Sequence, residues 1–214
     1  MFITFEGLDK AGKSTQIERL AEHLRSLGRD VVLTREPGGT PLCEAIRALV
    51  MQFKSSRIAD ESELLLFEAS RAQLVRELIA PSLEAGKIVL CDRFADSTVA
   101  YQGFARHQDL QTIERLNAFA VGAYLPTLTI FLDLTVEESF RRLGKVLNEN
   151  GAQRDRFEQE KREFHEGVRE GFLYVAKKDP QRVVRIDACQ TVDEVEAQIW
   201  TQVANRLNLG GGAL

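Results

Sequence analysis

Gly7-Leu8-Asp9-Lys10-Ala11-Gly12-Lys13-Ser14 is the stretch that decides how this chain is read. Two glycines bracket four free positions and run into Lys-Ser, the pattern of a phosphate-binding loop. Glycines let the backbone curl so that successive N–H groups converge on an anion. A helix opening at Lys13 would add its first unpaired N–H groups and the positive end of its dipole. Lys13 supplies a mobile charge for the outer phosphates. Ser14 supplies a hydroxyl of the kind that ligates magnesium, and Thr15 continues the first turn. The context is right on both sides, with an apolar strand ending at Phe5 and an amphipathic pattern of Ile17, Leu20, Ala21, Leu24 and Leu27 following.

Working outward, short apolar runs alternate with longer helical patterns. Strands are predicted at Phe2–Phe5, Val31–Thr34, Ile88–Cys91, Thr129–Leu132 and Val183–Ile186. Their continuous apolarity suits strands covered on both faces. Helices are predicted over 13–27 and around 41–53, 60–85, 109–122, 135–147, 156–178 and 191–207. This alternation implies an α/β fold, a doubly wound five-stranded parallel sheet flanked by helices, with ligands at the carboxyl ends of the strands. A single domain spanning 1–214 is expected, with a mobile loop at Gly144–Gln153, a short lid over about 144–158 and a frayed tail over 208–214.

The composition narrows the function. With 44% hydrophobic and 28% charged residues and a net charge of -4, the chain is an ordinary globular protein without a nucleic-acid-coating surface. An anionic ligand must therefore be held by a local cluster of cations. Cys43, Cys91 and Cys189 form no metal-ligand spacing and read as reduced thiols. No signal peptide and no run of ~20 apolar residues is visible, so a cytoplasmic protein without membrane or nucleic-acid partners is expected.

A loop that grips a triphosphate does not by itself define a reaction. No Asn-Lys-X-Asp guanine signature occurs. Transfer between two anions needs further cations at strand ends. Arg35 follows the second strand in Thr34-Arg35-Glu36-Pro37-Gly38-Gly39-Thr40, where Thr40 is placed to cap the next helix, and Arg47 lies inside that helix. Asp92-Arg93 follows the third strand, Asp92 for a magnesium shell and Arg93 as a bidentate bridge between phosphates. Arg154-Asp155-Arg156-Phe157-Glu158 reads as the arginine-bearing lid that excludes water. A magnesium- and ATP-dependent kinase of a small anionic acceptor is the expected function.

Longer segments sharpen this. Phe5-Glu6-Gly7-Leu8-Asp9, Arg35-Glu36-Pro37-Gly38-Gly39, Leu66-Phe67-Glu68-Ala69-Ser70-Arg71, Asp92-Arg93, Asp96-Ser97-Thr98-Val99-Ala100-Tyr101-Gln102-Gly103 and Asp155-Arg156-Phe157-Glu158 resemble the thymidylate kinase family in order and spacing. The resemblance implies ATP and dTMP as substrates, magnesium as cofactor and a homodimer. It implies that Phe67 stacks on the base, that Arg71 donates to its O4, and that Thr98 and Gln102 meet its N3 side. Tyr101 would lie beneath the sugar, with Ser97 in the same segment and Pro37 near the thymine methyl. Arg47 and Arg93 would hold the acceptor phosphate. Asp9 would hold the 3′-hydroxyl or a magnesium-bound water, and Glu36 would position groups rather than abstract protons. Arg142 would lie against adenine. Position 10 is Lys where many bacterial relatives have Gly and some relatives Arg. Either Lys10 or the lid pair Arg154 and Arg156 then neutralises the transferring phosphoryl. Another nucleotide or nucleoside kinase, and a nucleotide-binding switch without transfer activity, stay open as alternatives.

Overall fold

The computed structural model describes residues 1–52, 57–150 (146–150 by backbone alone) and 156–208. Five parallel strands, β1 (Phe2–Glu6), β2 (Val31–Arg35), β3 (Ile88–Asp92), β4 (Leu128–Asp133) and β5 (Val183–Asp187), form a sheet in the order β2-β3-β1-β4-β5. Each contains the apolar run that predicted it. Side chains alternate across the sheet with period two. Ile3, Phe5, Leu90, Ile130 and Leu132 face one core, where α1 (Lys13–Ser26) packs against α9 (Val192–Arg206) through Ile17, Leu20, Leu24, Ile199 and Val203.

The opposite face carries Phe2, Val89 and Cys91 beneath a helical layer. That layer holds α2 (Pro41–Gln52), then α3 (Asp60–Leu74), which continues through a π turn at Val75–Ile79 into α4 (Ala80–Glu84). It also holds α6 (Leu110–Val121) and α8 (Arg162–Lys178). A helical segment absent from the sequence reading, α5 (Ala95–Thr98) with a π turn at Val99–Ala105, packs directly on α8. The approach is close enough that a Cβ at Gly171 would lie 2.5 Å from the Ala100 Cα. Its inward side chains include buried Asp96, Thr98 and Gln102, so no apolar stripe announces it.

Two expectations need correction. The stretch beginning at Gly144 is not a loop at its start, because α7 (Val136–Asn150) runs through it. Its polar composition is compatible with a helix, and earlier in α7 Glu138 pairs with Arg141 and Arg142 at three and four residues. The helix expected from 156 instead begins at Arg162. Arg154, Asp155 and residues 209–214 of the expected tail lie outside the described residues.

The crossover from β1 leads past β3 to β2, whereas that from β3 leads past β1 to β4. The carboxyl ends of β1 and β3 therefore flank the point where the winding reverses, which is where such sheets open a crevice. The loop after β1 is Gly7–Ser14, and the residues closing β3 are Asp92-Arg93.

Candidate active site

That crevice is a cavity of about 780 Å³. Nine Lys or Arg side chains line it against three carboxylates, Asp9, Glu36 and Asp92. In a chain of net charge -4, this local excess is the signature of a site for a polyanion.

The loop is built as its glycines require. Gly7 has φ +137°, and a Cβ there would meet the Leu132 carbonyl oxygen at 2.3 Å; Gly12 has φ +94°. Leu8 and Ala11 turn inward and are buried. Lys13 Nζ lies inside the curl and donates to the carbonyls of Leu8 (3.0 Å) and Gly7 (3.3 Å). Burial and neighbouring Arg93 push its pKa down, opposed by Asp92, Asp9 and Glu6. The Ser14 hydroxyl donates to Asp92 Oδ2 at 2.9 Å, and Thr15 is exposed beside it on the cavity wall.

Arg93 adopts φ +69°, a left-handed conformation uncommon for an arginine. Its backbone N–H donates to Phe5 O, and the next N–H, on Phe94, donates to Glu6 Oε1 at 2.7 Å. Glu6 Oε2 accepts from the Ser97 hydroxyl at 2.6 Å, so Glu6 clamps the turn that aims Arg93. The guanidinium donates to Gly7 O (2.9 Å) and Asp9 Oδ1 (2.6 Å) and lies over the Tyr101 ring. Burial opposes ionisation of Asp9, but Arg93 and Lys13 outweigh it and hold the carboxyl below its ordinary range.

Across the cavity, Phe67 and Tyr101 form an aromatic wall with Phe157. Arg71 is only 1% exposed and fully engaged. It contacts Glu36 Oε2, Glu68 Oε1 (2.6 Å), Asn117 Oδ1 (2.7 Å) and Phe94 O (3.3 Å). Burial opposes its charge, yet Glu36 and Glu68 outweigh that and raise its pKa. Thr98 and Gln102 line the same end, Gln102 donating from Nε2 to buried Glu63. Pro37 follows a cis peptide bond after Glu36, and its carbonyl accepts from Arg47 at 2.9 Å. The turn after β2 is closed by Glu44, which accepts from Gly39 N and pairs with Arg35, while the Thr40 hydroxyl donates to Cys43 Sγ.

On the far side, Arg142 is anchored by Glu138 and reaches Lys10 O (3.3 Å) and Ala188 O (2.9 Å). Lys10 has φ +61°, the conformation glycine tolerates best, and its ammonium lies 3.6 Å from Glu158. Arg156 is not among the cavity-lining residues. It donates to Val50 O and Glu63 and lies over the Phe157 ring. Sequence reading missed Arg141, Lys145, Met51 and Phe94 as lining residues. The spacing of Glu138, Arg141, Arg142 and Lys145 at three and four residues was the available signal for the first two.

A strand-loop-helix phosphate grip facing an aromatic slot across one cationic cavity defines a P-loop nucleotide kinase. The family model described as Thymidylate kinase matches residues 5–199, and the chain belongs to that family. It is 46% identical to the thymidylate kinase of Syntrophotalea carbinolica over 99% of this chain and 98% of that protein. It is likewise 46% identical to that of Geobacter sulfurreducens, over 96% and 97%. The crystal structure of thymidylate kinase from Ehrlichia chaffeensis superposes with a TM-score of 0.75 at 38% identity, covering 95% of this chain and 97% of that one.

Proposed function

We propose that this chain transfers the γ-phosphoryl of ATP to the 5′-phosphate of dTMP, giving dTDP and ADP. The observation that carries this reading is the junction of the Lys13 loop with the Phe67–Arg71–Tyr101 slot in a single cavity. An acceptor base stacked on Phe67 points its phosphate toward Arg93, the residue shared between the two halves. Arg71 matches a carbonyl at the base's O4 because a guanidinium is donor-only. A ligand there has to share or displace one of its present contacts, of which Phe94 O is the longest. Thr98 and Gln102 serve the N3 edge, Tyr101 and Ser97 the sugar side, Pro37 the methyl side, and Arg47 with Arg93 the acceptor phosphate. Asp9 serves the 3′-hydroxyl, Glu36 positions Arg71, and Arg142 with Lys10 borders the adenine and outer phosphates.

The attacking phosphate oxygen is already ionised, so no general base is required. Lys13, Arg93 and the N-terminus of α1 spread the charge that develops on the γ-phosphoryl oxygens. The Ser14 hydroxyl and Asp92 carboxylate are paired hard oxygens beside the loop, a donor set that fits magnesium held mainly by phosphates. Ser14 and Asp92 would hold such an ion together with the phosphates, and its positive charge would offset theirs. Of the two described candidates for assisting, Lys10 lines the cavity, where it pairs with Glu158, whereas Arg156 is anchored outside it to Val50 and Glu63.

Exposed apolar side chains on and beside α3 and α6, notably Leu65, Phe119 and Leu125, support pairing with a second copy. No helix among the described residues is long and apolar enough to cross a membrane, and cytoplasmic work suits substrates made in that compartment.

A panel of acceptors with ATP and magnesium tests the reading. The expected outcome is fastest turnover of dTMP. Faster turnover of CMP or thymidine, or nucleotide binding with no transfer to any monophosphate, would overturn it. Sedimentation of the purified chain tests the dimer.

A further inference from the structure

Gln102 lines the acceptor end of the cavity, yet it is only 2% exposed and its amide has fixed neighbours. Behind it lies Glu63, on the first turn of α3 and 0% exposed. A carboxamide has one donor end and one acceptor end, whereas a carboxylate offers only acceptors. Gln102 Nε2 accordingly donates to Glu63 Oε1 at 2.7 Å. The same carboxylate receives Arg156 on Oε2 and has Arg106 Nε 3.5 Å from Oε1. Two donors, from Gln102 and Arg156, and the nearby Arg106 charge therefore converge on Glu63, and of these three residues Gln102 is the one that lines the cavity.

We propose that Glu63 is a positioning residue for base selection: by holding Nε2 it commits Gln102 to present Oε1, an acceptor, to the base edge. The inference rests on the reading of the acceptor as a pyrimidine monophosphate. Thymine and uracil carry an N3–H donor between two carbonyls, which pairs with Oε1. Cytosine carries a lone pair at N3, which Oε1 repels. Selection then operates as much by a contact denied to the wrong base as by one offered to the right base. Glu63 contributes to this without touching substrate.

The test is Glu63→Gln, assayed with dTMP, dUMP and dCMP. The amide introduced by this change carries one oxygen, and Arg156 and Arg106 compete for it. Its NH2 is left facing Gln102, whose own amide then turns around. The dTMP:dCMP ratio of kcat/KM is expected to fall at least about tenfold, as hydrogen-bond-based discrimination is lost. The dTMP:dUMP ratio should hold within about twofold, because both bases carry the same imide edge. In a Gln102→Leu background the same change at position 63 should leave the dTMP:dCMP ratio within about twofold. An unchanged dTMP:dCMP ratio in Glu63→Gln, or an equal fall that persists without Gln102, overturns the proposal. Should Glu63→Gln fail to fold, Glu63→Asp, which keeps the charge but draws the carboxylate back from Gln102, is measured in its place with the same two outcomes, and a wild-type dTMP:dCMP ratio in Gln102→Leu overturns the proposal by itself. A wild-type chain that does not phosphorylate dTMP sinks the broader reading instead, so the two failures are distinguishable.

Discussion

The Ser14 hydroxyl donates to Asp92 Oδ2 across 2.9 Å, joining the first turn of α1 to the last residue of β3. Two residues 78 apart in the chain thus share one hydrogen bond at the reversal point of the sheet. Asp92→Asn should keep this bond, since an amide oxygen still accepts, but should remove a charge beside the phosphates. Activity is expected to fall about 10- to 100-fold, as outer-sphere substitutions at metal sites do, with a raised magnesium requirement. Titrating turnover against magnesium checks it; a loss of turnover without a shift in the magnesium midpoint would remove Asp92 from that shell.

Arg71 carries two roles. Arg71→Ala leaves Glu36 and Glu68 buried without their cation, and a loss of about 3–5 kcal/mol of stability is expected. Urea unfolding reads that loss. At a temperature where the variant remains folded, KM for dTMP should rise while KM for ATP holds. Equal changes in both would make Arg71 a purely structural residue.

Glu6 makes stability depend on pH. Burial, reinforced by Asp96 and opposed by Arg93, Ser97 and the Phe94 N–H, raises its pKa from an ordinary 4.5 to about 8. With the folded value above the unfolded one, the native state binds the proton more tightly. The resulting stability is complete below the unfolded value and is lost as pH rises from about 4.5 toward about 8. A protonated Glu6 can donate to Ser97 Oγ, reversing the bond seen with the carboxylate. Glu6→Gln cannot titrate, so the stability of the wild type relative to this variant should decline across that window by more than about 1 kcal/mol. Thermal melts of both proteins at several pH values settle the sign.

Lys10 and Gly7 should respond in opposite directions to exchange of side chain. Lys10→Gly relieves a residue at φ +61° and is expected to be neutral or stabilising by up to about 1 kcal/mol. Gly7→Ala adds a Cβ 2.3 Å from the Leu132 carbonyl oxygen at φ +137°, and should destabilise by at least about 2 kcal/mol. Denaturant midpoints report both. Turnover of Lys10→Gly is informative in its own right, because an unchanged value passes the neutralising role to another cation.

The strands were legible because covered parallel strands must be apolar on both faces, as β1, β3 and β4 are. The phosphate loop was legible because its curl demands glycines at fixed offsets. The Ala95–Ala105 segment was not, since Asp96, Thr98 and Gln102 are buried polar residues that break any apolar stripe. The continuation of α7 to Asn150 was hidden by polar residues that suit a loop or an exposed helix equally. The second layer of the site was hidden by distance along the chain. Glu6 meets Ser97 across 91 residues, Arg71 meets Asn117 across 46 and Gln102 meets Glu63 across 39. No local pattern encodes such pairs. Arg71, Gln102 and Glu36 were identified, but not Asn117 or Glu63, which complete the orientation of the first two.

Lys13 rests against the carbonyls of Gly7 and Leu8, and Arg93 against Gly7 O and Asp9. A phosphate reaching these cations therefore exchanges one set of oxygens for another, and the free energy gained is only the difference between the two. The consequence is kinetic. When ADP and dTDP leave, both cations have oxygens within the protein to return to, so departure does not strand a buried charge. The same contacts that temper the grip on substrate ease the release of product.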